Sequence, residues 1–258
     1  MRIVFLIIVT LLFYRSSAAE DRKLANLFAR KGVEGTIVIS SLHGGQTYIY
    51  NTFRATRRYP AASTFKIFNT LISLEEKAVS GKDELLKWDG HVYEFSDWNH
   101  DQTLESAFRS SCVWFYQELA RRVGAEKYRE YVGRAAYGEL SEPFDVTTFW
   151  LDGSLRISAM EQVRFLRKVY LCALPFRSSS YETLKQVMLV EKTPNWSLWA
   201  KTGWATMTPT QIGWYVGYVE SGGEIWLFAM NMDIRNEKEL PLRQTLTREA
   251  LQAKGIMK

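Results

Sequence analysis

Apolar residues recur at helical spacing over residues 22–31 and stop near Gly32, predicting a first helix. Residues 36–40 and 46–50 alternate as two strands around a turn at residues 42–45. From residue 60 to about 174 the pattern is mainly helical. One apolar segment starts near Ser63 and runs through Leu74, and a long amphipathic stretch covers residues 104–123. A third covers residues 152–171, with Leu155, Met160, Val163, Leu166 and Val169 on one face. Strand-like runs return at residues 198–202, 212–219 and 225–232, and a last helix is expected over residues 242–254. Strands at both ends of a helical middle predict an α+β chain: a sheet covered by the terminal helices, with an inserted helical lobe. On this division residues 20–59 and 175–258 build the sheet lobe and residues 60–174 the helical lobe. A small-molecule site is expected at their junction.

Residues 1–19 carry a short basic start, an apolar run from Ile3 and small residues at Ser17-Ala18-Ala19, the pattern of a secretory signal peptide. Its removal, with Arg2 and Arg15, leaves 239 residues and lowers the net charge from +5 to +3. The periplasm is the expected destination, with release outside the cell as the alternative; no stable membrane insertion is expected after cleavage. So mild a positive charge favours a small anionic ligand and does not indicate nucleic acid. The basic cluster at residues 54–58 reads as solvated surface or local ion pairs. His43, His91 and His100 lack metal-site spacing, and no nucleotide phosphate loop is present, so neither a metal nor an organic cofactor is expected. With only Cys112 and Cys172, free thiols are expected rather than a disulfide framework. Oligomeric state is not legible.

The chemistry concentrates in three short motifs. Ser63-Thr64-Phe65-Lys66 puts a hydroxyl and an amine three residues apart, on one face of any helix running through them. A serine hydroxyl is a poor nucleophile at neutral pH, and an unprotonated lysine beside it is one way to activate it. Ser111-Cys112-Val113 and Lys201-Thr202-Gly203 follow in order. Ser-x-x-Lys alone arises by chance; the ordered trio marks serine enzymes that react with penicillin-like amides.

With Phe149-Trp150-Leu151-Asp152-Gly153, Lys201-Thr202-Gly203-Trp204, Asn231-Met232-Asp233 and Leu242-Arg243-Gln244 added, the chain resembles the class D serine beta-lactamases, the oxacillinase family. The resemblance covers nearly the whole exported region. It implies a penicillin-recognising serine hydrolase fold with an antiparallel sheet, and beta-lactam substrates. It also implies a Ser63 acyl-enzyme, and carbon dioxide or bicarbonate to convert Lys66 to its N-carboxylated form, held by the Trp150 indole. By the same resemblance Ser111 hands a proton to the lactam nitrogen and Lys201 supports that path. The backbone donors of Ser63 and Trp204 form an oxyanion hole, and Thr202 and Arg243 hold the substrate carboxylate. Gly203 admits a strand edge close to the ligand, while Trp98, Val113, Tyr137 and Leu151 are expected around the pocket. One motif departs from the family pattern: Tyr137-Gly138-Glu139 has an acid in place of a neutral amide, adding negative charge near the expected cleft rim. The alternatives are a penicillin-sensing domain that traps the acyl-enzyme, and a peptidoglycan transpeptidase or carboxypeptidase. Either would acylate without fast beta-lactam turnover.

Overall fold

The computed structural model describes residues 20–258. The expected signal peptide lies outside the described residues. At the centre is a six-stranded antiparallel sheet in the spatial order Thr47–Tyr50, Gly35–Ser41, Glu224–Ile234, Gln211–Ser221, Trp196–Ala205, Leu189–Lys192. The three long strands run as consecutive antiparallel neighbours, with Trp214 opposite Gly203 and Val216 opposite Lys201.

The terminal helices cover one face of this sheet. Asp21 caps Arg22–Lys31 by accepting from the Lys23 and Leu24 amides, and Gly32 ends the helix in the left-handed region at φ 61°. Leu24, Leu27 and Phe28 pack with Leu246, Ala250 and Leu251 of the Leu242–Ala253 helix on Ile37, Ile39, Tyr215 and Phe228. The opposite face, carrying Val38, Trp214 and Val216, packs on the helices of the chain's middle. Central strands are therefore buried on both sides, which is why they read as near-continuous apolar runs.

Two middle segments break where periodicity predicted continuity. Residues 104–123 form two helices, Leu104–Ser110 and Val113–Val123, because Ser111 turns into the left-handed region at φ 57°. Residues 152–171 begin with the short strand Leu155–Ile157. The helix Ala159–Tyr170 starts only at Ser158, whose hydroxyl and Glu161 form a reciprocal cap. The chain also does not return to strands directly after residue 174. A helix, Ser178–Met188, comes first and packs on Lys66–Glu75 and Leu104–Ser110. Residues 175–188 thus join the helices rather than the sheet.

The sheet must be tight where it carries the site. A Cβ on Gly217 would lie 2.1 Å from the Trp199 carbonyl oxygen, and Gly217 faces Ala200 beside Lys201. Gly217→Ala is expected to cost about 1–3 kcal/mol or more through this backbone clash. Thermal unfolding should show it as a drop of roughly 2–4 °C per kcal/mol for a domain of this size; an unchanged melting temperature would mean the strands separate freely here.

Candidate active site

Ser63 sits in a short 3₁₀ turn, Ala62–Phe65, that runs directly into the Lys66–Glu75 helix. The turn is held from outside. Ala61 N–H donates to the Leu155 carbonyl at 3.1 Å, Ala62 N–H to the Trp150 carbonyl at 2.8 Å, and Trp214 Nε1–H to the Pro60 carbonyl at 3.0 Å. These bonds hold Ala62 at φ 48°, a left-handed conformation that an L-residue keeps only under such constraint. Gly203 lets the Trp196–Ala205 strand press against the turn, since a Cβ there would stand 3.1 Å from Thr64 Cγ2. Its close approach is therefore to the nucleophile's own turn as well as to the cleft.

Lys66 is wholly buried, and its Nζ donates to Ser63 Oγ at 3.0 Å. Burial lowers the amine from its usual 10.5 to about 7, with Cys112 pulling weakly the other way. Near neutral pH much of Lys66 is thus free amine, able to take a proton or to react with an electrophile. Its surroundings are aromatic. The Tyr116 ring centroid lies 5.0 Å from Nζ, and Trp150 stacks on Phe65 at 5.9 Å. Trp150 is completely buried, and its Nε1–H has no hydrogen-bond partner among the described residues. A buried indole donor left unpaired, on a ring stacked against Phe65 next to Lys66 in the chain, is one that a carboxylate on Lys66 would satisfy. The residues present fit that group.

The second hydroxyl–amine pair faces the first. Lys201 Nζ donates to Ser111 Oγ, to the Thr202 carbonyl at 3.2 Å and to Thr202 Oγ1 at 3.4 Å. Burial, then the positive charges of Lys66 and Arg243, push Lys201 well below the usual lysine range. A lysine so depressed can pass a proton to and from Ser111. The Ser111 hydroxyl owes its position to the left-handed turn that splits the two helices.

Between these pairs opens a cleft of about 530 Å³ that Ser63, Trp98, Ser111, Val113, Leu151, Thr202, Gly203, Trp204 and Arg243 all line. Arg243 crosses to it over Gly213, where a Cβ would meet Arg243 Cδ at 2.7 Å. Its guanidinium donates to the Leu240 carbonyl at 2.7 Å and to the Gly203 carbonyl at 2.6 Å, leaving further donors for an anion. Burial lowers it to about 10, still cationic at neutral pH.

Comparison with known proteins places this geometry. The Penicillin binding protein transpeptidase domain family matches residues 34–252. Beta-lactamase OXA-48 of Klebsiella pneumoniae is 38% identical over 230 residues, covering 89% of this chain and 87% of its own. Beta-lactamase OXA-20 of Pseudomonas aeruginosa is 38% identical over 250 residues, 96% of this chain and 92% of its own. Among solved structures, FUS-1 (OXA-85), a class D beta-lactamase from Fusobacterium nucleatum subsp. polymorphum, superposes with a TM-score of 0.89. It has 38% identity and covers 93% of this chain and 100% of its own. The chain belongs to the class D beta-lactamases. It is a beta-lactamase enzyme with the penicillin-binding transpeptidase-like fold, an antiparallel sheet with helices.

Within this class D enzyme some expected site residues lie elsewhere. Tyr137 is completely buried among Phe65, Phe68 and Phe165 and does not line the cleft. Glu139 is not a free negative charge at the rim, because Arg58 binds it at 2.7 Å and also binds Glu161 at 2.6 Å. Asn231 and Asp233 act structurally: they hold the Arg54 guanidinium at 2.7 and 2.6 Å. Both cysteines are free, Cys112 buried and Cys172 exposed, and burial pushes the Cys112 thiol up to about 11. Such a thiol stays protonated and takes no part in nucleophilic chemistry.

Sequence reasoning missed other wall residues, among them Phe95, Arg109, Met207 and Leu240. Tyr116, under Lys66, was missed as well. Phe95 and Met207 sit in irregular connections where periodicity carries no signal. Only the path of the chain brings them to the cleft.

Proposed function

We propose that this beta-lactamase opens the beta-lactam amide by acylation of Ser63 and clears the acyl-enzyme with water, using Lys66 in its N-carboxylated form as general base. The observation that carries the reading is the wholly buried Lys66 amine, 3.0 Å from Ser63 Oγ, together with the buried, unpaired Nε1–H of Trp150, whose ring stacks on the adjoining Phe65. Bound to Nζ, carbon dioxide supplies an anionic oxygen base, which Trp150 Nε1–H and Ser63 Oγ–H would hold.

Each residue then has a defined task. Arg243 and the Thr202 hydroxyl anchor the substrate carboxylate and set the lactam carbonyl over Ser63. Ser63 Oγ bonds to the carbonyl carbon as its proton leaves on the Lys66 side. The backbone N–H groups of Ser63 and Trp204 take the developing oxyanion. When the lactam C–N bond breaks, Ser111 Oγ–H protonates the nitrogen, and Lys201 Nζ, hydrogen-bonded to Ser111, restores that proton. The proton that Ser63 gave up passes on to Lys201, and a water then attacks the ester carbonyl, yielding its own proton on the Lys66 side, from which Ser63 Oγ takes it as it leaves. Trp98, Val113 and Leu151 present apolar surface to the substrate side chain. Export, most simply to the periplasm, follows from the leader-like residues 1–19; a mature protein isolated from the producing cell with an N-terminus other than near Glu20 would refute it.

Arg243→Ala should raise KM for a penicillin roughly 10- to 150-fold with a smaller effect on kcat, the value of about 1.5–3 kcal/mol for a hydrogen bond to a charged group. Steady-state kinetics decide this, and a fall in kcat alone would place the carboxylate elsewhere.

The proposal is tested by mixing the mature protein with a penicillin in bicarbonate buffer while following product and intact mass together. Many turnovers with a transient mass gain are expected. A stoichiometric mass gain that persists would instead favour an acyl-trapping sensor or a cell-wall acyltransferase.

A further inference from the structure

A second groove, of about 270 Å³, lies on the other side of the Thr206–Thr210 connection, between the Trp196–Ala205 and Gln211–Ser221 strands. Arginines dominate its walls: Arg54, Arg57 and Arg156, with Tyr59, Thr208, Thr210 and one carboxylate, Asp233. The structure divides the basic cluster of residues 54–58 into paired and unpaired charges. Arg54 is neutralised by Asp233 and Arg58 by Glu139 and Glu161. Arg57 and Arg156 have no acidic partner among the described residues; both are exposed, and Arg57 rests against the Tyr59 ring at 5.4 Å. Two arginines without an acidic partner thus line one concave space, together with the mutually neutralised Arg54 and Asp233.

We propose that this groove is a binding site for a phosphate group, carried by a soluble phosphate or by a lipid headgroup. Guanidinium forks match phosphate oxygens in pairs, and two free cations balance a dianion. The space equals that of roughly nine waters at ~30 Å³ each, enough for the group and a small substituent. The connection that forms its wall also supplies Thr206 and Met207 to the substrate cleft. A ligand bound to Arg57 and Arg156 against Thr208–Thr210 therefore restrains one wall of the cleft, and its occupancy is felt in substrate binding.

Binding is read independently of beta-lactam chemistry, so this inference and the proposed mechanism fail separately; only the kinetic arm rests on beta-lactam turnover. Inorganic phosphate is titrated calorimetrically into the parent and into the R57Q/R156Q double variant at constant ionic strength. Saturable binding in the parent, weakened tenfold or more in the variant, is expected. Phosphate should shift the penicillin KM of the parent twofold or more, leaving kcat and the variant unaffected. Absence of saturable binding, or equal binding by the variant, overturns the site. Binding that leaves KM untouched overturns the coupling. Co-sedimentation with phosphatidylglycerol vesicles, competed by phosphate and lost in the variant, assigns the headgroup as the source; no sedimentation assigns the soluble one.

Discussion

Lys66→Met is expected to reduce penicillin turnover by about 10²–10⁴-fold, the usual value of a positioned acid–base group, while making the protein more stable. Lys66 is completely buried, and folding brings its amine from 10.5 to about 7. At about 1.36 kcal/mol per unit, the charged form destabilises the fold by up to about 5 kcal/mol, which an apolar side chain of similar length removes. Because the folded pKa lies below the unfolded one, the folded state holds fewer protons between about 7 and 10.5. Parent stability therefore rises with pH across that window, and the advantage of the variant shrinks over it; below about 7 the advantage is constant. Thermal melts at several pH values in bicarbonate-free buffer measure this, at roughly 2–4 °C per kcal/mol. A variant that melts at or below the parent at pH 7 would show that Lys66 is solvated in solution. The trade of stability for activity is characteristic of reactive buried groups.

Trp150→Phe separates the indole donor from its ring. Phe preserves most of the stack on Phe65 and the edge contact with Phe149, but not the buried Nε1–H. If that donor holds a carboxylated Lys66, its loss removes a hydrogen bond to a charged group worth about 1.5–3 kcal/mol. Deacylation should slow roughly 10- to 150-fold, acyl-enzyme should accumulate as a persistent mass gain, and added bicarbonate should restore part of the rate. If the N–H were merely an unpaired core atom, removing it would be neutral or stabilising and deacylation would keep its parent rate. Rapid-quench mass measurements with and without bicarbonate distinguish the two.

How much was legible varied with the range of the interactions involved. The Arg22–Lys31 helix could be read to the residue because its cap, apolar face and Gly32 stop are all local. The long strands were found but drawn short, since their ends are set by pairing partners far along the chain. The break at Ser111 was invisible to periodicity, because both flanking helices keep their apolar faces through it. Tyr137 misled because a motif position says nothing about which way a ring turns; here it turns into the aromatic cluster around Phe65.

The sequence by itself determined the reactive inventory and its local geometry: Ser63 and Lys66 three residues apart, Ser111 and Lys201 in order, and enough apolar strand and helix to build an α+β core. Only the tertiary structure decided the electrostatics. Lys66 becomes a near-neutral amine because the fold buries it completely, with the Tyr116 ring, distant in sequence, 5.0 Å from its Nζ. Lys201 reaches Ser111 because the sheet carries it there. Spacing places groups that share a helix, but desolvation is a property of everything packed around them, so the pKa values that make this chemistry run come from the fold.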